Sequence, residues 1–250
     1  MKVTTIDGVI GTLDEIIENA KKTRSPKGYF AALYQKVTKR VKEGIEEGAF
    51  ENAKRMEKLD VLFANRYLEA QEQYFKGQEV TESWKVAFDA TRTYWPIVLQ
   101  HLLLGINAHI NLDLGIAAVE TMISEQEPIT ALKKDFDKIN KILEELVGEV
   151  EQELSAIWPT LKCILTYSGK IDDFLINFSM EKAREGAWKF ATELAAAQAE
   201  ERASMIMERD AKIANVATYI NPPGLIPKLI FGMIRIGERG DVVQRIKILT

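Results

Sequence analysis

Thr93-Tyr-Trp-Pro-Ile-Val-Leu-Gln-His-Leu-Leu-Leu-Gly-Ile-Asn-Ala-His-Ile-Asn-Leu-Asp-Leu114 is the stretch that decides the fold. Residues 93 to 112 form an uncharged run of 20 between Arg92 and Asp113, long enough to cross a bilayer. Gln100, His101, Asn107, His109 and Asn111 interrupt it, and Asp113 follows at once. Five strongly polar side chains in one span are too many for a lipid-facing helix. The run therefore reads as the central buried helix of a bundle, near 96–124, and no transmembrane segment is expected.

The flanking sequence is helical on both sides. Thr12-Leu-Asp-Glu15 has the form of a capping box, followed at helical spacing by Ile16 and Ile17. Residues 28–48 place Phe30, Leu33, Val37, Val41 and Ile45 on one face, and 51–75 repeat the pattern. Thr81 or Ser83 caps the next helix, Pro96 suits the first turn of the central one, and Pro128 starts a long helix that Trp158-Pro159 breaks. Ser179 is a candidate cap for a helix running into the Ala-rich stretch 191–215, and Asn221-Pro-Pro-Gly224 ends it. Val242–Leu249 is the one plausible strand. The expected class is all-α: a single-domain multi-helix bundle of about eight to ten helices over 1–250, with 222–250 an apolar and basic tail packed on it.

Composition narrows the function classes. The chain has 250 residues, 46% hydrophobic and 28% charged, an ordinary globular balance. Its 33 Lys and Arg against 37 Asp and Glu give a net charge of −4, with no basic excess to hold nucleic acid. Cys163, the single cysteine, has no internal disulfide partner and reads as a small buried apolar residue. The opening Met1-Lys-Val-Thr-Thr-Ile-Asp-Gly-Val-Ile-Gly11 has no apolar leader region, so a cytoplasmic location is expected.

Both histidines of the chain lie in the central stretch. His101, Gly105, His109 and Asp113 form a slowly drifting stripe on a helix, with Gly105 leaving open space between the two histidines. His109 and Asp113 are an i, i+4 pair, and Asn107 and Asn111 are a second pair on another face. Burying such groups without partners costs about 1–3 kcal/mol each. An imidazole and a carboxylate one turn apart can grip one divalent ion, zinc, iron or manganese, with His101 as third ligand or general base. Asp60 is the candidate ligand from a facing helix, with Glu57 and Asp89 weaker choices. Asn107, Asn111 and Arg66 would orient substrate or neighbouring groups. The alternative is a purely structural polar network.

Met56-Glu-Lys-Leu-Asp-Val-Leu-Phe-Ala-Asn-Arg-Tyr67, Gly28-Tyr-Phe-Ala-Ala-Leu-Tyr34, Asp135-Phe-Asp-Lys-Ile-Asn140, Ala183-Arg-Glu-Gly-Ala-Trp188 and the Asn-Ala-His-Ile-Asn-x-Asp-Leu signature at 107–114 resemble a bacterial family of domains of unknown function over most of the chain. The resemblance implies a single helical domain and no known activity. His109-Ile-Asn-Leu-Asp113, with His101 and Gly105 upstream, is also faintly similar to the helical zinc-dependent phospholipase C and nuclease group. That group uses more histidines than the two present here, so the similarity implies at most a one- or two-metal remnant.

Three functions fit these residues. The first is a metal-assisted hydrolase, with His101, His109 and Asp113 catalytic and His109, Asp113, His101 and Asp60 as metal ligands. The second is a non-catalytic binder of a small apolar or lipid-like molecule, and the third a structural interaction module. The tail 222–250 is a candidate for peripheral membrane or subunit contact, including a homodimer.

Overall fold

The computed structural model describes residues 2–158 and 180–250; Cys163, Pro159 and the expected cap Ser179 lie outside them. The described helices are α1 (Ile6–Thr23), α2 (Lys27–Glu46), α3 (Ala53–Phe75) and α4 (Glu82–Ala90); α5 (Val98–Glu125); and α6 (Lys133–Ile157), α7 (Met180–Ala196), α8 (Ala199–Ile220), α9 (Leu225–Ile236) and α10 (Val242–Leu249). The class is all-α, with no strand among the described residues.

α5 is the uncharged run, and 89% of its most apolar window is buried inside the protein. By length and composition it could cross a membrane; here α2, α3, α4, α7 and α8 cover it. Two of its glycines set how closely those helices approach. A Cβ on Gly105 would come within 2.3 Å of the Phe30 ring from α2, and one on Gly115 within 2.8 Å of Phe190 from α7. The space expected beside Gly105 is therefore occupied by Phe30. A helical glycine gives up about 1 kcal/mol of propensity, which close packing at these crossings offsets. Buried apolar side chains from every helix, including Phe231, Ile234, Ile246 and Leu249 of the tail, join one core cluster.

Several helix starts are held by carboxylates from distant segments. Asp135 accepts from Glu51 N at 2.7 Å and Asn52 N at 3.2 Å just before α3. Asp210 accepts from Glu82 N at 2.6 Å and Ser83 N at 3.0 Å at the start of α4. Glu238 accepts from Val98 N at 2.7 Å at the start of α5. Free N–H groups and the helix dipole both favour an anion there.

Local expectations fail where a second start signal was stronger. α1 begins at Ile6, capped by Thr5, whose side chain accepts from Gly8 N. Thr12 lies inside the helix, its hydroxyl bonded to Gly8 O at 2.9 Å. Pro96 precedes the Ile97 cap of α5 rather than opening the first turn. Val242–Leu249 is helical: Asp241 and Gln244 form a reciprocal capping box, and Val242, Val243, Ile246 and Leu249 keep helical spacing. The Ala-rich run is interrupted at 197–198, where α8 starts afresh.

Candidate functional site

The middle of α5 is not regular. His109–Asp113 is a single π turn, with Leu114 N–H bonded to His109 O. Such turns are rare and recur at functional sites. The two residues that bound it are the pair singled out by spacing: His109 Nδ1 stands 3.2 Å from Asp113 Oδ2.

Asp113 is fully buried and joins three helices. Its Oδ1 accepts from Arg66 Nε of α3 at 2.7 Å, and its Oδ2 accepts from Trp84 Nε1 of α4 at 2.8 Å. Burial pushes the carboxyl up, but Arg66 and His109 outweigh it and hold it below the ordinary aspartate range. An ionised carboxylate only accepts, so His109 Nδ1 carries the proton. Burial, with Arg66 nearby, outweighs the pull of Asp113 and lowers the imidazole, which is neutral at pH 7. His109 Nε2 is therefore an acceptor, and it is buried with no hydrogen-bond partner among the described residues. Aromatic rings fix its plane: Phe63 stacks on it with centroids 3.6 Å apart, and Tyr34 meets it edge-on at 4.5 Å.

His109 lines a cavity of about 150 Å³ bounded by α2, α3, α5, α6 and α7. Its wall is otherwise almost wholly apolar, with Phe30, Leu33, Ile106 and Leu146 among its members. A second void of about 40 Å³ adjoins it, sharing Tyr34, Val37, Phe63, Ile110 and Leu143, and reaches Asp60. Asp60 Oδ2 and the Tyr34 hydroxyl are also buried with no hydrogen-bond partner among the described residues. Burial, then the charge of Glu57, pushes the Asp60 carboxyl up to about 7. Burial, then Asp60 and Asp113, drives the Tyr34 phenol well above its ordinary value. Arg184 borders the second void, but its guanidinium is bonded to Asn140 Oδ1 and Phe136 O.

The other expected residues are placed elsewhere. His101 is buried with neither ring nitrogen paired, tilted against Tyr29 at 5.6 Å, in a separate void of about 20 Å³. Burial, with Arg235 adding to it, lowers its imidazole to about 3. Asn107 Nδ2 donates to Ile213 O at 3.0 Å, Asn111 Nδ2 donates to Asn107 Oδ1 at 3.1 Å, and Arg209 donates to Asn111 O at 3.0 Å. The first and last of those bonds tie α5 to α8. Asp89 is held by Tyr74 and Lys85, and Glu57 by Ile6 N. Among the described residues no three His, Cys, Asp or Glu side chains gather where they could hold a metal ion.

Sequence reasoning missed Tyr34 and Phe63 as site residues. Tyr34 sits on the apolar stripe of α2 between Phe30 and Val37, where a phenol brings a hydroxyl into the core. A polar atom at a core position was the signal available.

A family model described as a family of unknown function, DUF5995, matches residues 6–223. The chain belongs to the DUF5995 family. The matched region of this DUF5995 protein includes the π turn, both voids and every residue of the candidate site, and ends just before α9. No curated protein and no solved structure matches the chain.

Proposed function

We propose that this protein binds a small, largely apolar molecule in the cavity beside His109, with the molecule's hydrogen-bonding group received by His109 Nε2. What supports this is that His109, Tyr34 and Asp60 line two adjoining voids, whose walls are otherwise apolar apart from Arg184, and that His109 Nε2, Tyr34 Oη and Asp60 Oδ2 are buried with no hydrogen-bond partner among the described residues. Each unpaired group costs about 1–3 kcal/mol, a cost that a ligand bearing a donor would offset. Apolar walls with a few convergent polar groups are the usual make-up of a small-molecule site. A cavity of about 150 Å³ matches one known to take up benzene, so a single ring or a short acyl end fits.

A ring with and a ring without a donor test this directly. Titration followed by NMR or thermal shift is expected to show para-cresol binding more tightly than toluene. His109→Phe is expected to abolish that preference while keeping toluene affinity. Failure of both compounds to bind, or an unchanged preference in His109→Phe, would remove the reading.

A reaction on the bound molecule is the second reading. A neutral imidazole on the wall of a cavity, its Nδ1 held by a buried carboxylate and its Nε2 free to accept, has the make-up of a general base. The metal-assisted version expected from the sequence would need Asp113 to exchange its bond to Arg66 or Trp84 for the ion, with His101 and Asp60 drawn in from their separate surroundings.

A further inference from the structure

Among the large hydrophobic side chains exposed in the described residues, five lie on α9: Leu225, Ile226, Leu229, Met233 and Ile236, each at least 50% exposed. At about 100° per residue they fall in one stripe. Phe231 and Ile234 on the other side are buried in the core, so α9 is apolar inward and outward, and its outer stripe is left exposed, with no partner among the described residues. Two aromatics extend that stripe. A Cβ on Gly232 would come within 3.0 Å of the Trp95 ring, so the indole lies against the helix. The Arg235 guanidinium stands 4.7 Å from the centroid of Tyr94. Tyr94 and Trp95 are both exposed.

The segment that carries the stripe is net positive. Residues 222–250 carry Lys228, Arg235, Arg239, Arg245 and Lys247 against Glu238 and Asp241. That gives the segment +3 in a chain of −4, leaving −7 on the remainder. Both acids are engaged: Glu238 with Val98 N and Arg245, Asp241 with Arg24 and Gln244. Lys228, Arg239 and Lys247 are exposed.

We propose that α9 is a docking face for an anionic lipid surface, its aliphatic stripe entering the boundary between headgroups and acyl chains. Lys228 and Arg239 would meet lipid phosphates and carboxylates, and Tyr94 and Trp95 would lie at headgroup level, where amphipathic rings concentrate. Charge decides between this and self-association. Two copies meeting through α9 would bring together two segments of like sign, whereas anionic lipid supplies the opposite one. α9 lies beyond the family match, which ends at residue 223, although Tyr94 and Trp95 fall within it, and no residue of α9 lines either void at the candidate site.

Co-sedimentation of the full chain with phosphatidylcholine vesicles, with and without phosphatidylserine, tests the proposal. The protein is expected to pellet with the serine-containing vesicles and to be released as salt rises. Leu229→Glu and Met233→Glu are expected to weaken binding by about tenfold or more, and Lys228→Glu by roughly tenfold, with unchanged helical circular dichroism. Met207→Glu, at an exposed residue on α8, is expected to bind as the wild type does. Absence of pelleting, equal pelleting of Met233→Glu, or a dimer without vesicle binding that Met233→Glu dissolves would each overturn it, the last by giving the face to a second copy.

Discussion

Phe63 lies flat on His109, with ring centroids 3.6 Å apart and planes 7° from parallel. With Asp113 on Nδ1, this leaves the imidazole one free nitrogen, Nε2, on a side chain that lines a cavity together with Tyr34. Orientation by a buried carboxylate and an aromatic plate makes a fixed acceptor out of a side chain that usually titrates near pH 6.5.

Asp113→Asn should expose how much rests on that carboxylate. The amide keeps one acceptor oxygen and places an N–H₂ against one of the donors Arg66 Nε and Trp84 Nε1. Loss of a buried charge partner costs about 3–5 kcal/mol, and urea denaturation is expected to show a loss of that order. Trp84→Phe, which removes one bond, is expected to cost less, about 1–3 kcal/mol. With only two histidines in the chain, long-range proton–nitrogen NMR can read the His109 tautomer directly. The wild type is expected to show neutral imidazole protonated on Nδ1, and Asp113→Asn a mixed or reversed tautomer.

Two buried groups push the pH dependence of stability in opposite directions. His101 is lowered to about 3 in the fold, against about 6.5 in an unfolded chain. As pH falls below 6.5 the unfolded chain binds a proton that the folded one refuses, so His101 reduces stability on acidification. Asp60 is raised to about 7 from 3.8, so the folded chain keeps its proton in that window while the unfolded one has lost it. Its contribution is full below 3.8 and is lost as pH rises through about 7. His101→Leu is therefore expected to gain most over wild type at pH 4.5, and Asp60→Asn at pH 7.5 or above. Each difference should grow by on the order of 1 kcal/mol per pH unit inside its window. Equal effects at both pH values would show that these groups are not held in these states.

The parts of this structure that were legible in the sequence are those set by local pattern. An uncharged run broken by five polar residues reads as a covered helix, and α5 is one. Asn221-Pro-Pro-Gly224 separates α8 from α9 as its chemistry dictates. The pairing of His109 with Asp113 follows from i, i+4 spacing, although the π turn that carries it does not. What stayed hidden depends on contacts distant in sequence. Asp135, Asp210 and Glu238 start helices to which they do not belong. Trp84 reaches Asp113 across 29 residues. His101 shares a stripe with His109, but Phe30 closes over Gly105 and lines the void of each. Asp60, the carboxylate expected to face His109 and Asp113 from another helix, borders a void together with Tyr34 and not beside Asp113.

The glycines of α1 and α5 give a contrast between space and propensity. Gly105→Ala drives a Cβ to 2.3 Å from Phe30, and overpacking of that kind costs about 1–3 kcal/mol or more. It is also expected to disturb the cavity, since Phe30 forms part of its wall. Gly11→Ala meets nothing within 4 Å on an exposed turn of α1, so the helix-propensity gain of about 0.5–1 kcal/mol is expected in full. Thermal denaturation of the two variants should move the midpoint in opposite directions.

Metal content separates the cavity reading from the ion-centred one. If Asp113 serves Arg66, Trp84 and His109 as its bonds indicate, it has little capacity left for an ion, and the adjacent guanidinium repels one. Elemental analysis of untagged protein is then expected to find zinc, iron and manganese well below one equivalent. His109→Ala and Asp113→Ala should leave that content unchanged, and added zinc should not raise the melting temperature. Stoichiometric metal in the wild type that both substitutions remove would instead mean that the Arg66 bond opens to admit an ion. The acceptor at His109 Nε2 would then be a ligand in waiting, and phosphoesters and carboxylic esters would become the substrates to screen.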